Sequence, residues 1–331
     1  MKPENWQFSV APMMDWTDRH CRYFHRLISR QALLYTEMVT TGALLFGNAP
    51  RFLAYQDQEH PVALQLGGND PRELALCARM AQAAGYDQIN LNCGCPSDRV
   101  QKGIFGACLM AKPALVRDCL SAMLDAVDIP VTVKCRIGID DMDEDTSLFE
   151  FVDVVSQSGV RGFCVHARKA WLSGLSPKEN RDIPPLNYAR VQALKAQRPD
   201  LCVSLNGGIV SAEQGLKHLG FLDGVMVGRA AYQQPFDVLR SVDSLYFNQT
   251  DLWAGGLEDR LAVADAMARY VDWQAGLGVP PKSVTRHMMG LFNGLSGARQ
   301  WRRHLSEQAH CAVNGDVIRQ ALGRELMLRA A

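Results

Sequence analysis

The sequence predicts a (β/α)8 TIM barrel followed by a small all-helical C-terminal domain. Three observations carry that prediction. Short apolar runs of strand length recur eight times over about 230 residues, close to the ~250 of a typical barrel. Each run ends in a turn signal and gives way to apolar residues at three- and four-residue spacing, the alternation of a parallel sheet covered by helices. Beyond about Asp251 helical spacing continues, but no strand-like run returns. A doubly wound open sheet shows the same alternation, yet the G-x-G-x-x-G fingerprint after the first strand is missing.

In order, the runs are 8–14 (FSVAPMM), 33–39 (LLYTEMV), 61–66 (PVALQL) and 88–95 (QINLNCGC). They continue with 130–136 (PVTVKCR), 162–168 (GFCVHAR), 201–206 (LCVSLN) and 224–229 (GVMVGR). Between them, Leu74, Ala75, Ala78 and Ala81 fall on one helical face. Leu115, Cys119, Met123 and Ala126 do the same between Pro113 and Pro130. The segment 253–256 (WAGG) reads as a joint, so residues 1–250 are expected to form the barrel and 251–331 the helical domain. In the latter, Leu261, Ala264, Met267, Ala268 and Val271 set the helical period. There is no internal repeat.

Hydrophobic content of 47% and charged content of 21% are ordinary for a globular protein with a large core. No apolar run approaches the ~18 residues of a membrane span. The opening residues lack an apolar signal core, so a cytoplasmic protein is expected. Ten cysteines without repeated spacing read as reduced thiols, and Cys93-Gly94-Cys95 is too tight for a zinc pair, so no metal is expected. A net charge of zero hides an asymmetry. Residues 281–331 hold eight basic against three acidic residues, a pattern that suits a polyanion or simply a solvated face.

The chain is organised around 88–96, a strand that ends in a turn carrying Cys95 before Pro96. A free cysteine is by default a small buried hydrophobe. Position argues otherwise here, because function in a barrel sits where strands end. The strand ends carry Met13 and Met14, Glu37, Gln65, Asn92 and Cys95, Lys134 and Arg136, His166 and Arg168, Asn206, and Gly228 with Arg229. Asn206-Gly207-Gly208 and Gly228-Arg229 are bare-backbone turns suited to a phosphate, at the place where barrels often hold one. A rim with amides, lysine and a phosphate cradle suits flavin mononucleotide, although a phospho-sugar would use the same cradle.

The segments 11–18 (APMMDWTD), 91–96 (LNCGCP), 133–136 (VKCR), 165–168 (VHAR) and 206–208 (NGG) resemble the tRNA-dihydrouridine synthases. The resemblance covers essentially the whole chain. Segments 35–43 (YTEMVTTGA) and 169–181 (KAWLSGLSPKENR) are similar to the A subfamily, which reduces uridines 20 and 20a of the D-loop. It implies an FMN enzyme that takes hydride from NADPH and passes it to C6 of uracil, with Cys95 protonating C5. It implies FMN contacts at Pro12, Met13, Met14, Gln65, Lys134, His166, Asn206, Gly207, Gly208, Gly228 and Arg229. Asn92 and Arg136 would line the uracil side, while Lys178, Arg181, Arg299 and Arg302 would grip tRNA. Cys93 departs from the family pattern, which commonly has a non-thiol there.

The chemistry suits these residue types. Hydride arriving at C6 places negative charge at C5 and O4, and a neutral thiol can supply the proton. The target base must leave the tRNA fold to reach a barrel mouth. One rival is an FMN barrel acting on a free pyrimidine, similar to the dihydroorotate dehydrogenases, for which the basic helical tail would have no use. A flavin-free aldolase-type barrel using Lys134 as a Schiff-base amine, and a tRNA-binding module without catalysis, are the others. A monomer is expected.

Overall fold

The computed structural model describes residues 6–97 and 103–323. Eight parallel strands close into a barrel in chain order. They are β1 (Phe8–Val10), β2 (Leu33–Thr40), β3 (Val62–Gly67), β4 (Gln88–Cys93), β5 (Val131–Arg136), β6 (Gly162–His166), β7 (Cys202–Asn206) and β8 (Gly224–Val227). β8 pairs back onto β1, with Ser9 opposite Met226. The protein is a TIM barrel.

Each predicted run forms a strand. The largest difference is at β1, which stops at Val10 instead of reaching Met14. Pro12 has no N–H for the ladder. The carbonyl of Met13 instead closes a turn by accepting from Trp16 N (3.1 Å) and Thr17 N (3.0 Å).

Strand alternation sorts the side chains into two cores. On β4, Ile89, Leu91 and Cys93 face the surrounding helices and are fully buried. Gln88, Asn90 and Asn92 face the barrel axis instead, bonded to the neighbouring strands. Inside the barrel, Trp6, Leu33, Tyr35, Ala63, Cys164, Cys202 and Met226 form an apolar plug. Trp6 packs so closely under the barrel that a Cβ on Gly224 would lie 2.1 Å from its carbonyl oxygen. The interior is therefore apolar at the base and polar at the carboxyl end, which leaves only that end for chemistry.

After Asp251 the described chain is helical: Leu257–Gly276, Pro281–Thr285, Ala298–Gln308 and Asp316–Gly323. The first of these helices and the segment 281–288 lie against the first helix of the barrel, Arg19–Arg26, while the last helix packs on Leu257–Gly276 and Ala298–Gln308. Tyr270 stacks on Tyr23 at 3.9 Å and bonds His20 Nδ1 at 2.8 Å. Trp253 Nε1 donates to Leu27 O (2.9 Å), and Arg286 reaches Asp18 at 2.6 Å. Of the basic residues counted in this part of the sequence, Arg324 and Arg329 lie outside the described residues, as do residues 1–5. No helix among the described residues is long and apolar enough to cross a membrane.

Two histidines of the first helix are held neutral. Burial, partly opposed by Asp18, lowers His20 to about 4; burial, with His287 and Arg26 nearby, lowers His25 to about 3. Unfolding releases both to an ordinary value of ~6.5, so the unfolded chain binds more protons just below that pH. Stability is therefore expected to fall as pH drops from 6.5 to about 5, by roughly 1.4 kcal/mol per pH unit for each histidine. Urea titrations at both pH values check the slope, and a flat profile would mean these rings are charged in the fold.

Candidate active site

The carboxyl ends of the strands carry a continuous polar network. Gln65 sits between two asparagines: its Nε2 donates to Asn90 Oδ1 and its Oε1 accepts from Asn92 Nδ2, both at 2.8 Å. Asn92 Oδ1 then accepts the backbone N–H groups of Gly94 (3.1 Å) and Cys95 (3.0 Å), which fixes the turn bearing the thiol. Cys95 is half-buried, with its Sγ 3.5 Å from Ser97 Oγ. Across the mouth, Lys134 Nζ donates to Asn206 Oδ1 (3.0 Å), and Asn206 Nδ2 donates to Met226 O (2.8 Å). Burial lowers the Lys134 amine. It also holds His166 well below its ordinary value, aided by the positive charges of Arg136, Lys134 and Arg168, so the ring is neutral.

The turns after β7 and β8 form the other side of the mouth. Gly207 and Gly208 take left-handed φ values of 110° and 71°. A Cβ on Gly207 would also lie 2.6 Å from His166 Cδ2, so glycine is required there on two counts. Arg229 follows Gly228 and pairs with Asp182 (2.8 Å). Arg168 bonds the carbonyls of Asp182 and Pro184, while its buried Nε has no partner among the described residues. Met13 is partly buried against the barrel interior, Pro12 is beside it, and Met14 is exposed.

Of the remaining predicted residues, Arg136 and the loop carrying Lys178 and Arg181 border this rim, where Arg229 donates to Arg181 O (3.4 Å), whereas Arg299 and Arg302 lie on the helical part. Lys178 and Arg181 are exposed on the loop after β6. Arg299 and Arg302 are exposed on the helix Ala298–Gln308 and form no ion pair among the described residues. Arg136 is 3% exposed, and its guanidinium is engaged with backbone carbonyls.

A family model described as Dihydrouridine synthase (Dus) matches residues 9–326, nearly the whole chain. The chain belongs to the dihydrouridine synthase family. It is 60% identical over 318 residues to the tRNA-dihydrouridine(20/20a) synthase of Escherichia coli K12, covering 96% of this chain and 90% of that protein. The proteins of the same name from Salmonella typhi (58%, covering 96% and 94%) and Vibrio vulnificus (55%, covering 96% of each) are also similar.

Within this dihydrouridine synthase, the donor set fits the flavin that the resemblance implies. Gln65 and Asn92 each spend one amide N–H on the network and keep one. Lys134 keeps donors beyond the one given to Asn206, and Arg168 Nε is an unused buried donor beside Arg229. Cys93 is fully buried opposite Cys135 in the layer between strands and helices, away from this mouth. All ten cysteines are free thiols. Among the described residues no group of three His, Cys, Asp or Glu could hold a metal ion.

Sequence reasoning gave no role to Asp18, Asn180 or His287. Asp18 caps the first helix and accepts from Arg286 and His287. Burial raises its carboxyl, but the bonds from His287, Cys21 N and Arg286 outweigh this and hold it well below the carboxylate range. The N-cap pattern was readable in the sequence; its partners, some 270 positions away, were not.

Proposed function

We propose that this protein reduces uridines 20 and 20a in the D-loop of tRNA to 5,6-dihydrouridine, with FMN as cofactor and NADPH as reductant. The observation that carries the reading is the placement of Cys95: a half-buried thiol on a fixed turn, at the polar mouth of a barrel whose base is sealed. FMN, when bound, supplies hydride to C6 of the uracil. The phosphate cradle would be Asn206, Gly207, Gly208, Gly228 and Arg229; Pro12, Met13, Met14, Gln65, Lys134 and His166 would hold the rest of the cofactor. Asn92 fixes the Cys95 turn, and the sulfur delivers its proton to C5 as charge develops there. Lys134, tied to Asn206, provides a positive field that favours electron density moving onto the ring system. Neutral His166 adds a hydrogen-bonding group without adding charge.

Two groups of exposed cations support an RNA partner: Lys178 and Arg181 beside the mouth, and Arg299 and Arg302 on the helical region. Residues 251–331, the RNA-gripping part in this reading, act with the barrel in the cytoplasm as one monomer. Replacing all four cations with alanine is expected to weaken tRNA binding and to lower the salt slope by roughly 0.7–0.9 for each phosphate that is no longer neutralised. Flavin reduction by NADPH should be untouched, and unchanged tRNA affinity at every salt concentration would remove this surface from the reading.

The direct test is the acceptor. Anaerobically reduced protein mixed with unmodified tRNA should be reoxidised and yield dihydrouridine at positions 20 and 20a; free uridine should be a poor acceptor. Equal reoxidation by a free pyrimidine would favour a small-molecule dehydrogenase. A colourless protein that does not bind FMN would end the proposal.

A further inference from the structure

Arg136 ends β5, where the barrel opens, yet two of its guanidinium nitrogens are engaged inside the protein. Its Nε donates to Gly94 O (3.1 Å), and its Nη1 donates to Lys169 O (3.1 Å) and Asn180 O (2.9 Å). Gly94 precedes Cys95 on the turn that holds the thiol. Asn180 lies between Lys178 and Arg181 on the loop that presents both cations. One rigid fork therefore touches the backbone of both working segments.

The loop is built to transmit that contact. Asn180 is fully buried, and its side chain knits the loop together. Its Oδ1 accepts from Trp171 N (2.7 Å), and its Nδ2 donates to Trp171 O (2.9 Å) and Leu175 O (3.2 Å). Farther along, Asp182 is held by Arg229 and its carbonyl by Arg168, so the loop is pinned at the phosphate side as well. Arg136 meets no carboxylate among the described residues, so its buried charge is satisfied by carbonyls alone. Burial lowers it to about 10, which leaves it cationic at neutral pH. Burying an unpaired cation is costly, and an apolar side chain would fill the space more cheaply. The cost is explained if the fork must hold two segments in one register, which a point-charge lysine cannot do.

We propose that Arg136 is a positioning residue that locks the Cys95 turn to the 169–182 loop, so that seating RNA on Lys178 and Arg181 also sets the position of the thiol. The inference rests on the proposed function and deepens it: RNA contact outside the mouth and proton delivery inside it share one brace.

The test uses FMN-loaded protein carrying Arg136→Met or Arg136→Lys. The first readout needs no turnover: iodoacetamide alkylation at Cys95, followed by peptide mass spectrometry, with Cys108 as internal reference. Alkylation of Cys95 is expected to accelerate in the Met variant and less so in the Lys variant, whose amine cannot reach both segments, while Cys108 stays constant. In parallel, hydride transfer to tRNA should fall by up to ~10²-fold, the scale of an ångström-sized misplacement, with flavin reduction by NADPH unchanged. If the Met variant fails to fold, the Lys variant decides by the same comparison. Wild-type alkylation at Cys95 in a folded variant would overturn the brace, and so would faster alkylation of Cys95 and Cys108 alike. Wild-type protein that makes no dihydrouridine would count against the proposed function instead, since alkylation reads the brace without turnover.

Discussion

Cys95→Ala protein is expected to stay yellow and to be reduced by NADPH at the wild-type rate, while dihydrouridine formation falls by roughly 10²–10⁴-fold, the usual worth of a placed proton donor. Hydride addition to an isolated uracil double bond leaves charge at C5 that has no outlet until a proton arrives. The sulfur is the acidic group the turn presents: half-buried, backbone-fixed through Asn92 and next to Ser97 Oγ. Cys93, two residues away, cannot substitute. Strand alternation sends it into the outer core, where burial raises its thiol well above the usual range. Cys93→Ala should therefore change stability and leave turnover intact. Single-turnover mixing of reduced protein with tRNA separates the two variants. Wild-type turnover by Cys95→Ala would remove the proton-donor role.

The barrel was legible because its signals are local. Every strand is an apolar run closed by a turn residue, and the period changes from two to three or four at each boundary. Glycines at 207 and 208 were legible for the same reason: a left-handed backbone restricts which residues can sit there. Bonds that cross the chain were not legible. That Arg136 also braces Gly94 and Asn180 was not legible, because those partners lie 42 and 44 positions away. Trp6, which closes the base of the barrel, lies before the first strand run, where no sequence period gave it a role. The helical tail read as an appendage by its charge, whereas Tyr270, Trp253 and Arg286 fasten it to the first helix through contacts that no sequence period encodes.

Such cross-chain bonds also set the largest expected stability effect, at Glu59. Its carboxylate meets Arg22 Nε at 2.6 Å, with the two side chains 0% and 4% exposed. Its other oxygen accepts from Gln56 N (2.7 Å), while Arg22 Nη1 donates to Thr17 O (2.8 Å). Removing one partner of a buried pair strands the other charge, so Glu59→Ala should cost about 3–5 kcal/mol. With an unfolding entropy of about 2.1 cal/mol/K per residue, a chain of 331 residues shifts by roughly 1.4 °C per kcal/mol, so melting should drop by about 4–7 °C. Replacing both partners together, Arg22→Met with Glu59→Leu, should cost less than the single change, because no charge is then left unpaired. The damage should also reach the mouth. Thr17, whose carbonyl Arg22 holds, exchanges hydrogen bonds with the backbone of Met13 through its hydroxyl. A stranded Arg22 that turns toward water would release that turn, so Glu59→Ala is expected to lose FMN more readily than wild type at temperatures where it is still folded. Calorimetry and flavin fluorescence on the same samples check both effects. A single variant that melts with wild type, or a double variant less stable than the single, would show that the pair is not what holds this corner of the barrel.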